Sequence, residues 1–253
     1  MLALWFMDSI LISAASGMRA RMESLEMLAN NLANASTGGY KTDREFYSIY
    51  AAAEATDPVA QGLSPDADLA PVIEKHWTDY AQGILHATGN PLNVALDGPG
   101  FFAANGPSGV VYTRNGNLRV DAAGLLSTTD GYPLRTVAGG TVQLASNHPI
   151  EITADGTVRQ DGQDLGQLQV ADFPDPNAIE KRGLSYFVNP NPNLQPGSST
   201  ASVHQGQLED SNVGTAESAI RLVSVMRQFE SLQKAMNIAA DMSRYAIEEV
   251  AKV

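Results

Sequence analysis

The chain has no cysteine among its 253 residues. That absence removes disulfides, thiolate metal sites and thiol nucleophiles together, and it suits a protein that must stay unfolded before export. Positive charge is scarce. Lys and Arg number 16 against 28 Asp and Glu, for a net charge of −12. An acidic chain repels phosphate backbones, and Arg19, Arg21, Lys41 and Arg44 are interleaved with acids rather than gathered in a patch. Nucleic acid is therefore not an expected partner. No apolar run reaches the roughly 18 residues that a spanning helix needs. The opening Met1–Met7 is apolar, but it lacks a basic start and Asp8 interrupts it, which argues against a cleaved signal peptide. Met1 and Met7 both remain possible starts.

Catalytic signatures are missing as well. There is no Gly-x-Ser-x-Gly elbow, no phosphate-cradling Gly-x-x-x-x-Gly-Lys-Ser/Thr and no His-Glu-x-x-His. His76, His86, His148 and His204 stand at no ligand spacing and read as surface or structural side chains. Asp155, Asp161 and Asp164 lack the order of a calcium loop and are better explained by hairpin turns. Neither an enzyme, a cofactor site nor a small-molecule substrate is expected.

What the sequence does carry is a matched pattern at its two ends. Leu11, Ala15, Met18, Met22, Leu25, Ala29 and Leu32 step by four and three alternately. Leu222, Met226, Phe229, Leu232, Met236, Ala239, Ser243, Ile247 and Val250 do much the same. An average spacing near 3.5 makes one apolar stripe on a helix, the seam of a coiled coil. Residues 8–35 read as a helix capped by Asp8 or Ser9 and stopped at Gly38-Gly39; an alternative adds one apolar turn before Asp8. Gly17 lies inside it and would allow close helix approach. The last helix begins after a cap at Ser211 or Asn212, with Thr215 an alternative, and runs to about Lys252. Two ordinary amphipathic helices packed on a β body would show similar stripes. The narrow, Ala- and Met-rich stripes at the chain ends favour assembly instead, with both termini poorly ordered in the free subunit.

Between the stripes the pattern changes. Asn105-Gly106, Asn115-Gly116, Asp130-Gly131, Asp155-Gly156 and Asp161-Gly162 are pairs that supply the positive φ of tight hairpins. They separate short strands at 92–96, 101–104, 110–113, 118–120, 125–128, 141–144, 150–152, 157–159 and 166–172, a Greek-key-like or barrel-like body. Residues 173–200 read as loop, and 201–209 as a returning strand. The expected fold is mixed α and β: paired, coiled-coil-like terminal helices flanking a mainly antiparallel β-rich domain. The expected divisions are an N-terminal helix (1–40), a connector (41–70), the β domain (71–205) and a C-terminal helix (206–253).

The residues then become recognisable. Asn30-Asn31-Leu32-Ala33-Asn34 followed by Gly39-Tyr40-Lys41 resembles the N-terminal motif of bacterial flagellar rod and hook proteins. Leu96–Phe102, Tyr112–Asn117 and Asp130–Pro133 resemble that family's central β domain, and Gln205–Val213 its C-terminal motif. The resemblance implies an axial subunit of the flagellar basal-body rod that assembles with itself and with other rod proteins. It also implies unfolded export through the flagellar type III apparatus without signal cleavage, to a periplasmic rod. The Phe173–Arg182 stretch and the chain length look most like the proximal-rod type. A distal-rod subunit is the near alternative, and a secreted β-rich binding module the more distant one. The implied assembly interface comprises Leu11, Met18, Met22, Leu25, Asn30, Asn31, Leu32, Asn34, Leu222, Met226, Phe229, Met236 and Ile247.

Overall fold

The computed structural model describes residues 2–51, 69–145 and 148–250. A first helix, α1 (Leu2–Ala33), opens the chain and a last helix, α2 (Thr215–Val250), closes it. Asp8 and Ser9 do not cap α1 but lie within it, because nothing in the apolar turn before them breaks a helix. The stop falls where expected. Thr37 N–H donates to the Asn34 carbonyl, Tyr40 N–H to the Thr37 carbonyl, and Gly39 takes φ +67. At the other end, neither Ser211 nor Asn212 caps α2. The helix starts at Thr215, with Glu217 in the first turn, where a negative charge suits the helix dipole.

The strands follow in chain order: β1 (Thr42–Ala51), β2 (Leu69–Asp79), β3 (Leu85–Ala87), β4 (Val94–Asp97), β5 (Phe101–Gly106) and β6 (Gly109–Thr113). Next come β7 (Leu118–Val120), β8 (Leu126–Thr128), β9 (Ile150–Ile152), β10 (Thr157–Gln160), β11 (Gln163–Gln167) and β12 (Val170–Asp172). The remainder are β13 (Glu180–Arg182), β14 (Tyr186–Val188), β15 (Gly197–Ser198), β16 (Ser202–Gln205) and β17 (Gln207–Glu209). The strands expected between 92 and 172 are found, except that 141–144 makes only isolated bridges, such as Leu125 with Gln143. Two segments differ from expectation. The region read as connector contains β1 and the start of β2, which share a two-stranded sheet; its Asp57-Pro58 and Ser64-Pro65 lie outside the described residues. The region read as loop, 173–200, contributes β13, β14 and β15 to a six-stranded sheet of order β13-β14-β6-β5-β12-β15.

Two units emerge from the chain. Unit 1 takes Met1–Leu32, Asp43–Trp77 and Thr215–Val253; unit 2 takes Ala33–Thr42 and Thr78–Gly214.

Unit 2 is built on β5. Alternate residues of a strand face opposite sides of a sheet. Phe102 and Ala104 enter one core with Leu96, Leu126, Leu134 and Val158, while Phe101 and Ala103 enter another with Tyr112, Phe173 and Phe187. The second core is aromatic. Tyr112 meets Phe173 edge-on at 4.9 Å, and Phe101 lies 5.3 Å from Phe187. The returning segment closes the unit: β16 pairs antiparallel with β4, and β17 with β3. Asp130-Gly131, Asp155-Gly156 and Asp161-Gly162 supply the expected positive φ. Asn105-Gly106 and Asn115-Gly116 do not; in the turn after β5 the positive φ falls on Gly109 instead. Gly116 is required because a Cβ there would overlap the Val94 carbonyl.

In unit 1, Gly17 faces Leu232, whose Cδ1 would stand 3.6 Å from a Cβ at position 17. That is an ordinary van der Waals distance to a side chain, so an alanine would fit there and the glycine is not what lets the two helices meet. Strand β1 is fixed to α1 by polar groups. Ser24 Oγ donates to a Glu45 carboxylate oxygen, and the Asn31 amide pairs with the Asp43 backbone, donating to its carbonyl at 2.8 Å and accepting from its N–H at 3.1 Å. Glu45 in turn receives Arg221 of α2 at 2.6 Å.

Candidate assembly surfaces and the clasp at Glu209

Among the described side chains of α1, those buried within the chain are Gly17, Ala20, Ser24, Met27, Leu28 and Asn31. The expected stripe lies about one residue further on, roughly 100° around the helix. Met18, Leu25 and Leu32 are half-buried, whereas Met22 is 49% exposed and Asn30 is exposed. Asn31 and Asn34 are buried inside the chain, Asn34 accepting from the Thr37 hydroxyl at 3.2 Å. The side chains of Leu11, Ser243 and Ile247 lie outside the described residues.

On α2 the stripe and the sheltered face nearly coincide. Leu222, Phe229, Leu232, Met236 and Ala239 are half-buried, and Val225 replaces Met226 as the buried member. Met226 is 46% exposed, and a further set of apolar side chains is open to solvent: Ile220, Val223, Ile238 (61%), Met242 and Tyr245 (72%). Large apolar side chains exposed along a helix are the kind of surface found at interaction sites.

The second feature lies inside unit 2 and escaped the sequence reading. Glu209, at the end of β17, is fully buried with Lys41 and accepts from its ammonium at 2.6 Å. Its other oxygen accepts from the nearly buried Arg114 at 3.2 Å. The first oxygen also takes the Gly83 N–H at 3.0 Å, and the Glu209 carbonyl takes the Gly39 N–H at 2.8 Å. Lys41 donates a second time, to the Ala81 carbonyl at 2.7 Å. Arg114 donates to the Gly98 carbonyl at 2.6 Å and lies over the Phe101 ring. Burial lowers the pKa of both Lys41 and Arg114 from their usual values, and the facing Glu209 carboxylate opposes that shift in each. Lys181 closes the cluster from β13, 3.9 Å from the Tyr40 ring centroid and donating to the Lys41 carbonyl. Gly39 is obligatory beside it: φ is +67, and a Cβ would overlap the Arg114–Asn115 backbone.

Two sequence motifs thus meet in space, Gly39-Tyr40-Lys41 and Gln205–Val213. Each was legible separately. Their pairing was not, since Lys41 and Glu209 stand far apart along the chain with no periodicity to link them.

The histidines stay on the surface. His86 pairs with Asp210 at 2.9 Å, His148 with Asp161 at 2.7 Å, and His204 approaches Asp97 at 3.8 Å. The aspartates of the 155–164 region serve turns and pairs: Asp155 accepts from the Thr153 and Thr157 hydroxyls, and Asp164 pairs with Arg159 at 2.6 Å. Among the described residues no cluster of acids and histidines could hold a metal, and no helix is long and apolar enough to cross a membrane.

A helix at each end of the chain, both with exposed apolar side chains, and a β-rich unit between them in sequence are features that a structural subunit of an assembly would have. The comparisons with known proteins name the family. Residues 11–41 match the family model described as flagella basal body rod protein. Residues 95–160 match the flagellar hook protein FlgE/F/G D1 domain, and residues 204–249 the flagellar basal body rod FlgEFG protein C-terminal. The flagellar basal-body rod protein FlgG of Agrobacterium fabrum is 30% identical over 248 residues, covering 91% of this chain and 95% of that protein. The flagellar basal-body rod protein FlgF of Caulobacter vibrioides is 28% identical over 249 residues, covering 98% and 100%. FlgG of Bacillus subtilis is 28% identical over 247 residues, covering 88% and 92%. The chain belongs to the family of flagellar basal-body rod proteins. It is a structural subunit of the basal body, not an enzyme, and proteins of this family assemble with other rod components.

Proposed function

We propose that α1 and α2 form the wall of the rod, packing as paired, coiled-coil-like helices against neighbouring copies and other rod subunits. In this reading the β-rich unit faces outward. The observation that carries it is the exposed apolar face of the helices: Met22 on α1, with Val223, Met226, Ile238, Met242 and Tyr245 on α2. Such contacts repeat head-to-tail and propagate along an axis rather than closing a ring. A wall of packed helices is stiff, which suits a shaft that transmits torque. Of the interface residues expected from sequence, Met18, Met22, Leu25, Asn30, Leu32, Leu222, Met226, Phe229 and Met236 remain candidates, with Leu11 and Ile247 beyond what the described side chains address. Asn31 and Asn34 act within the chain instead. Chain length and the Phe173–Arg182 stretch support the proximal-rod position. The absence of cysteine supports passage through the flagellar export apparatus as an unfolded chain.

The test is deletion of the gene in its source organism, with external filaments counted by electron microscopy. Filaments and swimming should both be lost and both return with the intact gene. Normal filaments in the deletion strain would remove this reading.

A further inference from the structure

The chain crosses between its two units at 32/33, 42/43, 77/78 and 214/215. Within unit 2, the residues next to three of these crossings are bound to one side chain. Asn212 Oδ1 accepts from the Thr42 N–H and from the Thr42 hydroxyl, both at 2.8 Å. Its Nδ2 donates to the Asp79 carbonyl at 2.7 Å and to the Ala81 carbonyl at 3.0 Å. Its own N–H donates to the Tyr40 carbonyl at 3.4 Å. A primary amide offers two acceptor sites and two donors, and here all are used. No other neutral side chain of this size supplies both functions. The Glu209–Lys41 pair ties the same three segments together a few residues away, through Gly39, Ala81 and Gly83.

The geometry points to Asn212 as a positioning residue that binds the three segments leaving unit 2 into one cooperative junction, releasing or holding them together. Its oxygen secures the Tyr40–Thr42 segment and its nitrogen the Asp79–Gly83 segment. In the rod, force passing from β1, β2 and α2 enters unit 2 through these segments, so the junction sets how faithfully it is delivered. That last role rests on the rod reading; the junction itself does not.

Hydrogen exchange of the purified full chain, read by mass spectrometry on peptides, tests it. In Asn212→Ala, exchange should rise together over 39–42, 79–83 and 209–213, by about tenfold or more, while β5 and β10 keep their protection. Asn212→Asp keeps the acceptor but loses the donors, so it should release 79–83 and leave 39–42 protected. A rise confined to 209–213, a loss spreading to β5 and β10, or an Asp variant matching the Ala variant would overturn the proposal. The deletion strain carrying Asn212→Ala separates the two readings. If the wild-type gene restores swimming and Asn212→Ala restores it only weakly, the junction serves the rod. If Asn212→Ala swims as wild type, the junction has no mechanical part. If the wild-type gene itself has no effect on swimming, it is the rod reading that fails.

Discussion

At the scale of single residues, the charge on Glu209 matters most. It faces two cations in a site closed to water, and its carboxylate also accepts the Gly83 backbone N–H. Such a cluster is not strong evidence of net stability, because burying each ion is costly. Removing one member is another matter. Glu209→Ala leaves Lys41 and Arg114 buried and uncompensated, and should destabilise unit 2 by about 3–5 kcal/mol. Urea unfolding followed by the aromatic signal of the Tyr112–Phe173–Phe187 core measures it; a loss under 1 kcal/mol, on the scale of an exposed pair, would show that the cluster is not dry. This disruption is why Glu209 variants are poor probes of the junction and Asn212 variants better ones. The sequence offered the parts of this site but not the site. A Lys in a polar segment and a Glu after a short strand carry no mark of burial, and only the return of β17 beside β3 brings them together.

At the scale of elements, turn chemistry made most of the strands legible, because pairs such as Asp130-Gly131 constrain a hairpin locally. β13, β14 and β15 were hidden for the opposite reason. They are two or three residues long, lie among Pro and Asn, and owe their existence to long-range pairing with β6 and β12. The helices were legible in kind, but the face that α1 buries within the chain was not. The stripe was sought by hydrophobicity, but the face that α1 buries includes Gly17, Ser24 and Asn31, which hydrophobicity does not mark. Ser24 and Asn31 are buried because β1 supplies polar partners, and β1 itself read as connector. Asn31→Leu keeps the volume and deletes both hydrogen bonds to the Asp43 backbone. It should destabilise the chain by about 1–3 kcal/mol, the range for orphaned buried groups, and loosen the start of β1. Thermal unfolding with exchange at 42–45 checks both parts; unchanged protection there would mean that β1 is held without Asn31.

At the scale of the whole molecule, the question is what the exposed apolar residues of α2 are for. A chain that only folded upon itself would gain solubility by replacing Ile220, Val223, Ile238, Met242 and Tyr245 with polar residues, at no cost in its own packing. Burying a large apolar side chain contributes about 1.5–3 kcal/mol, so a few of them per neighbour suffice for a repeating contact. The residues most informative to change are those that are exposed in the chain, since half-buried Leu25 and Phe229 would confound assembly with folding. The double variant Met226→Asp and Ile238→Asp places two charges on that face. Its purified chain should melt within about 1 kcal/mol of wild type, the scale of surface substitutions. The same variant should fail to restore filaments in the deletion strain, because burying two unpaired carboxylates at every subunit contact is prohibitive in a continuous wall. Wild-type melting with full swimming would place the assembly surface elsewhere. The stripe half-buried along Leu222, Phe229 and Met236 would then be the face to test next.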